Sequence, residues 1–179
     1  PIELNLLETE LRQFLHTVTA GDFLEKNVPA EARRLVDIAF SGNGEPTSAR
    51  EFAEAVAVAG RVLNDFHLLH GVKIRLITNG SLMHRADVRR GIALIGELGG
   101  EVWFKIDRGT TKGISRVNGV QTTPDKIRNA VSICGKLAPT WIQTCLFAID
   151  GETVAEEEFA AYLELISSVA KHIEGVHLY

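Results

Sequence analysis

Cysteine is scarce: Cys134 and Cys145 are the only two in 179 residues, too few for a disulfide framework or a zinc site. Long apolar runs are missing as well. No stretch approaches the roughly 18–20 residues that a bilayer-spanning helix needs. No charged-then-apolar leader with a small-residue cleavage site opens the chain, so a cytoplasmic protein without a membrane partner is expected. Nor is positive charge in excess. A net charge of −4 disfavours a bare nucleic-acid-binding module, while leaving room for a local basic patch. Low-complexity segments, linkers and short repeats are absent too. What is present is a 45% apolar share, which suits one compact domain over residues 1–179 with a sizeable core.

Two hydrophobic periods alternate along the chain. Leu4, Leu7, Leu11, Phe14, Leu15 and Val18 share one helical face. A looser stretch around Pro29 suits an added turn of helix, and Leu35 to Phe40 reads as a strand. Ser48 and Glu51 have capping-box spacing before a helix carrying Phe52, Val56, Ala59, Leu63 and Phe66. Val72–Ile77 is the next strand, and Val88, Ile92, Ile95 and Leu98 mark the next helix. The strand Val102–Ile106 leads into Asp107 and a polar loop of about 15 residues. Thr123-Pro124 opens a helix as cap and first-turn proline. Trp141–Phe147 follows as a strand. Thr153 and Glu156 form a second capping box ahead of the helix of Phe159, Leu163, Ile166, Val169 and Ile173, and Val176–Tyr179 reads as a strand cut off at the end.

Strands alternating with helices predict βαβ crossovers and a parallel sheet. A doubly wound open sheet and a (β/α) barrel both fit that alternation. A sheet covered on both faces should be apolar nearly throughout. Here one phase is apolar (Val36, Ile38, Phe40; Val72, Ile74, Leu76; Val102, Phe104, Ile106), while the other carries Asp37, Lys73, Arg75, Lys105, Gln143 and Thr144 around a turn of phase, and His177. The pattern therefore favours a curved, barrel-like sheet with one polar, ligand-facing side. Five strands cannot close an eight-stranded barrel. The chain opens on Pro1 and on a helix without a preceding strand, so a first strand is expected upstream.

Chemistry concentrates at Phe40-Ser41-Gly42-Asn43-Gly44-Glu45-Pro46, at the carboxyl end of the first strand, where parallel sheets bind ligands. The glycines let backbone amides and carbonyls approach a ligand, and Glu45 adds a negative charge suited to an ammonium group. A tight turn without function would have the same look. The run lacks the third glycine of a dinucleotide fingerprint and the Gly-Lys-Ser/Thr of a phosphate loop. His67, His70 and His84 suit solvent-exposed histidines better than a metal site. Cys134 and Cys145 read as buried, inert thiols. Glu156-Glu157-Glu158 matches an acidic first helical turn.

Gly42–Thr47, "GNGEPT", resembles the glycine–glutamate–proline motif after the second strand of radical S-adenosylmethionine enzymes. "DIAFSGNGEPT" followed by "LITNGSL" is similar to their iron–sulfur oxidoreductase branch that includes wyosine-synthesis-like proteins. In order along the chain, "WFKIDRGT" resembles the edge of that family's fourth strand, "WIQTCLFAIDG" its fifth and "GVHLY" the start of its sixth. The resemblance implies a partial (β/α)6 TIM-like barrel of parallel strands. It also implies reductive cleavage of S-adenosylmethionine by a [4Fe–4S] cluster to a 5′-deoxyadenosyl radical, with an electron donor such as flavodoxin or ferredoxin. By that likeness the Gly42, Asn43, Gly44, Glu45 and Pro46 backbone takes the methionine amino group. Thr78 and Asn79 lie near its ribose or methionine, and Lys105, Asp107 and Gln143 line the carboxylate and ribose region. The family holds its cluster with a C-x-x-x-C-x-x-C loop, whose three thiolates leave one iron open. This chain has none, so the ligands are expected upstream of Pro1 and the chain alone is expected to be inactive. The substrate stays open. So do two other readings: a non-catalytic domain for a nucleotide-like ligand, and an unrelated (β/α) barrel enzyme fragment.

Overall fold

The computed structural model describes residues 2–42, 44–149, 151 and 153–179. Among them five strands form one parallel sheet in sequential order: β1 (Asp37–Phe40), β2 (Lys73–Thr78), β3 (Glu101–Lys105), β4 (Thr140–Thr144) and β5 (Gly175–Leu178). No pairing joins β5 back to β1 among the described residues, so the sheet is open. The helices are α1 (Leu4–Ala20), α2 (Phe23–Asn27), α3 (Phe52–Asp65), α4 (Ala86–Glu97), α5 (Thr111–Asn118), α6 (Pro124–Cys134) and α7 (Glu156–Val169). No helix is long and apolar enough to cross a membrane among the described residues.

The two strand phases behave as their chemistry dictates. Ile74, Leu76, Val102, Phe104 and Ile142 are fully buried, in one core with Val56, Leu63, Ile92, Ile95, Val131 and Leu165 of the helices. Burying such side chains is worth about 1.5–3 kcal/mol each. α1 packs on α3, α3 on α4, and α6 on α7. The other phase is polar and pairs with itself. Arg75 bridges Asp37 on β1 and Glu101 on β3, while Lys73 and the Trp103 indole also donate to Glu101. The Arg75 guanidinium lies over the Trp103 ring, 4.5 Å from its centroid. The His177 ring of β5 stacks on Trp141 and lies tilted at 49° to Trp103, with centroids 4.7 Å apart in each pair. The expected apolar phase weakens only in the first strand, which starts at Asp37 and leaves Val36 exposed.

Several local expectations need correction. Ser48 does not cap α3. It ends a 3-10 turn, Pro46–Ser48, and the helix starts at Phe52 with Glu51 as its cap residue, one turn too early for a capping box. Instead, the Glu51 carboxylate accepts the Ile2 amide at 3.2 Å. Thr153 does not cap α7 either, because that helix begins at Glu156 behind Ala155. Thr123 does cap α6, accepting from the Lys126 amide with Pro124 next in line. The polar loop after Asp107 contains a helix, α5. Thr110 Oγ1 accepts the Gly113 amide at 2.9 Å at its start, and Gly119 closes it at φ +65°. That cap-and-glycine pair was the readable signal. Finally, β4 stops at Thr144, because the Cys145 amide turns out of the sheet to donate to Asp107 Oδ1 at 2.8 Å.

Candidate functional site

The turn after β1 is anchored by Glu45. Its Oε1 accepts from the Thr47 amide (3.3 Å), the Thr47 hydroxyl (2.6 Å) and the Thr78 hydroxyl (2.6 Å). Its Oε2 accepts the Asn79 amide at 2.8 Å. The carboxylate thus ties the Gly-rich turn to the end of β2, with Thr47 and Thr78 both buried. A charge satisfied this fully by its own chain is a brace for the loop rather than a free partner for an ammonium group. Glu45→Ala is expected to cost about 2 kcal/mol, because the buried Thr78 hydroxyl and the Asn79 amide lose their acceptor. Urea unfolding and faster hydrogen exchange at the Asn79 amide would report it.

With the turn so held, Gly42 (φ +141°) and Gly44 (φ +108°) adopt backbone that disfavours side chains. A Cβ on either would meet nothing within 4 Å. The constraint is therefore conformational, and the backbone stands open to whatever lies above it. What lies above is a cavity of about 440 Å³ at the carboxyl edge of the sheet. Each strand end contributes to it: Gly42, Gly44 and Glu45 after β1, Asn79 after β2, Lys105 and Asp107 at β3, Cys145 after β4 and Tyr179 after β5. Val117 and Asn118 of α5 close one side, beside Phe147.

Asp107 organises the far wall. It is buried, with Oδ1 accepting the Cys145 amide and Oδ2 the Asn118 side-chain amide, each at 2.8 Å. Burial, then the nearby Cys145 and Asp107 and a hydrogen bond with the Cys145 thiol, push the Tyr179 phenol above its ordinary value. Cys145 itself is half-buried and lines the cavity, in place of the buried thiol expected. Cys134 is buried as expected, and burial pushes its thiol up to about 11, outweighing a hydrogen bond from Thr140. It stays protonated and inert at neutral pH.

Of the residues anticipated from sequence, the cavity brings together Gly42, Gly44, Glu45, Asn79, Lys105 and Asp107. Pro46, Thr78 and Gln143 do not line it. Pro46 starts the 3-10 turn, Thr78 is buried behind Glu45, and Gln143 lies in the polar phase between Lys105 and His177. Asn43 falls outside the described residues. Asn118, Phe147 and Tyr179 also line it and were not anticipated: Asn118 belongs to no motif, and Phe147 and Tyr179 lie in the fifth- and sixth-strand motifs without a site role there. His16, His67, His70 and His84 are exposed. Among the described residues no group of three or more His, Cys, Asp or Glu side chains could hold a metal ion.

Fold and cleft together define an open, parallel α/β sheet with a polar cavity at its carboxyl edge, the place where such sheets bind ligands. Among solved structures, that of TYW1 with a lysine–pyruvate adduct bound has the same fold, with a TM-score of 0.61 at 19% identity over 99% of this chain. The match covers 55% of that chain, so this sequence spans about half its length. No protein-family model and no curated protein matches the chain.

Proposed function

We propose that the chain is the S-adenosylmethionine-holding core of a radical S-adenosylmethionine iron–sulfur oxidoreductase, built on a partial (β/α)6 barrel of which residues 1–179 form one unit. The observation that carries this reading is the turn at Gly42, Gly44 and Glu45: pinned by Glu45 to the end of β2, it lines a cavity to which all five strand ends contribute. The order of the sequence motifs supports it. So does the fold likeness to TYW1, a wyosine-synthesis radical S-adenosylmethionine enzyme.

The cavity suits the cofactor. Carbonyls of the Gly42–Pro46 turn would receive the methionine ammonium, with Glu45 acting through the shape of the loop. Lys105 would be the cation available to the carboxylate, Asn79 would offer amide groups to the ribose or methionine, and Asp107 would fix the wall opposite. Thr78 contributes by holding Glu45. The [4Fe–4S] cluster does not fit this chain: Cys134 is buried at the end of α6, Cys145 stands alone at the cavity, and neither has a second or third thiolate beside it. On this reading the cluster would be held by thiolates of the intact protein and would supply the electron for reductive cleavage of the cofactor, with a donor of the flavodoxin or ferredoxin type behind it.

Reconstitution of the intact protein with iron and sulfide tests the reading. Reduction in the presence of S-adenosylmethionine should release 5′-deoxyadenosine, and its absence would sink the proposal. Gly44→Val is expected to weaken S-adenosylmethionine binding about tenfold by calorimetry, since a strained loop costs about 1–3 kcal/mol. The thermal transition should stay cooperative, because a side chain at Gly44 meets open space. Unchanged affinity would remove the turn from the site.

A further inference from the structure

Beside the proposed cofactor cavity lies a second one, of about 480 Å³, between α5 and the first turn of α7. Val117 lines both, so the two adjoin at the same edge of the sheet. Three cations line this second cavity: Arg108, Lys112 and Arg116. Lys112 and Arg116 are exposed, one helical turn apart on α5, and form no ion pair among the described residues. Arg108 is different. It is only 5% exposed, yet it pairs with no carboxylate among the described residues. Its Nη1 donates to the Asp107 carbonyl, and its guanidinium lies 5.0 Å from the Phe147 ring centroid.

A buried guanidinium without a counter-ion is expensive, and its planar fork is matched to carboxylate and phosphate groups. Among the described residues, the acids nearby do not serve it. Glu158 is committed to the start of α5, where it accepts from the amides of Gly109 (2.6 Å) and Thr110 (2.9 Å) and from the Thr110 hydroxyl. Glu157 is exposed on the rim. In a chain of net charge −4, three cations against two carboxylates line this small-molecule-sized cavity, a local excess of positive charge that draws anions.

We propose that Arg108, Lys112 and Arg116 bind the oxyanion, carboxylate or phosphate, of a small-molecule ligand in this cavity. That the ligand is the substrate, held beside S-adenosylmethionine, rests on the reading above. The anion site itself rests on its own geometry.

Calorimetry on the 179-residue chain tests it with two probes, malonate and inorganic pyrophosphate. At least one should bind at a single site and weaken as salt is raised. The double variant K112Q/R116Q alters only exposed positions and should weaken that binding about tenfold, the ratio expected for lost charge-assisted hydrogen bonds. A control double variant of equal charge, K136Q/K171Q, should leave it unchanged. Preference for malonate assigns a carboxylate, and preference for pyrophosphate a phosphate. The proposal is overturned if neither probe binds the native chain, or if the two double variants bind equally well. Titration of the same proteins with S-adenosylmethionine separates the two claims. Anion binding without cofactor binding would retire the cofactor reading and keep this site; the reverse would retire this site alone.

Discussion

Gly109→Ala is expected to destabilise the protein by about 3 kcal/mol or more, the upper range for overpacking against groups that cannot yield. A Cβ at this position would lie 2.1 Å from the Tyr162 amide nitrogen, 2.3 Å from the Ala161 carbonyl carbon and 2.5 Å from the Tyr162 Cα. All three atoms are backbone of α7, so relief requires moving the helix. Two contacts would move with it. Glu158 holds the start of α5, and the Tyr162 hydroxyl shares a 2.8 Å hydrogen bond with Thr144, whose own proton goes to the Ile106 carbonyl. The substitution should therefore loosen α5 as well as lower the urea midpoint. Gly71→Ala is the control, because its Cβ finds only the Leu68 carbonyl, at 3.9 Å. A Gly109→Ala protein within about 1 kcal/mol of the parent would contradict the packing described.

The second large effect is acid sensitivity through Glu101. Burial pushes this carboxyl up, but hydrogen bonds from Lys73, Arg75 and Trp103 outweigh burial and hold it at about 2, against an ordinary 4.5. A folded-state pKa below the unfolded one means that folding favours the ionised form. The stabilisation is complete above about pH 4.5 and is lost as pH falls toward 2. Its full size is about 3 kcal/mol. Urea unfolding at stepped pH should show this limb in the native protein. Glu101→Gln should flatten it, while lowering stability at neutral pH by leaving Arg75 with one partner fewer. An acid limb of equal steepness in the variant would place the titrating group elsewhere.

These two positions show what the linear pattern reveals and what it hides. The polar phase of the strands was visible as Lys73, Arg75 and Lys105 alternating with apolar residues, and it gave the correct face of the sheet. That Glu101 would serve as the common acceptor was not visible, because the pairing depends on β2–β3 register. The βα alternation and the parallel sheet followed from period alone, since 3.6- and 2-residue spacings are set by local geometry. The capping boxes at Ser48 and Thr153 failed because a Ser/Thr-x-x-Glu spacing says nothing of where the first helical turn begins. α5 was hidden by its polarity: only Ile114 is buried in it. At the cavity, the residues adjoining a glycine turn or a strand end (Gly42, Gly44, Asn79, Lys105, Asp107) were legible. Asn118 and Phe147 were not, since tertiary folding alone brings them there, and Tyr179, though at a strand end, carried no chemistry that marked it. Glu45 was found for its charge, yet the structure uses it as a four-donor brace.

The site's location at the carboxyl edge has a physical basis that does not depend on any likeness. Loops leaving parallel strands converge there, and in this chain each of the five supplies a wall of one cavity. The brace from Glu45 to Asn79 fixes two of those loops, and Asp107 joins two more through Cys145 and Asn118. The cavity is thus preorganised by carboxylates that spend their charge on the protein itself. Lys105 and the backbone at Gly42 and Gly44 remain exposed at the cavity.

The most direct test is the amide nuclear magnetic resonance spectrum of the 179-residue chain titrated with S-adenosylmethionine. Shifts should concentrate on Gly42, Gly44, Asn79, Lys105 and Cys145, and Gly44→Val should need about tenfold more ligand to reach them. Shifts scattered over the surface, or confined to residues away from the carboxyl edge of the sheet, would contradict this cofactor site.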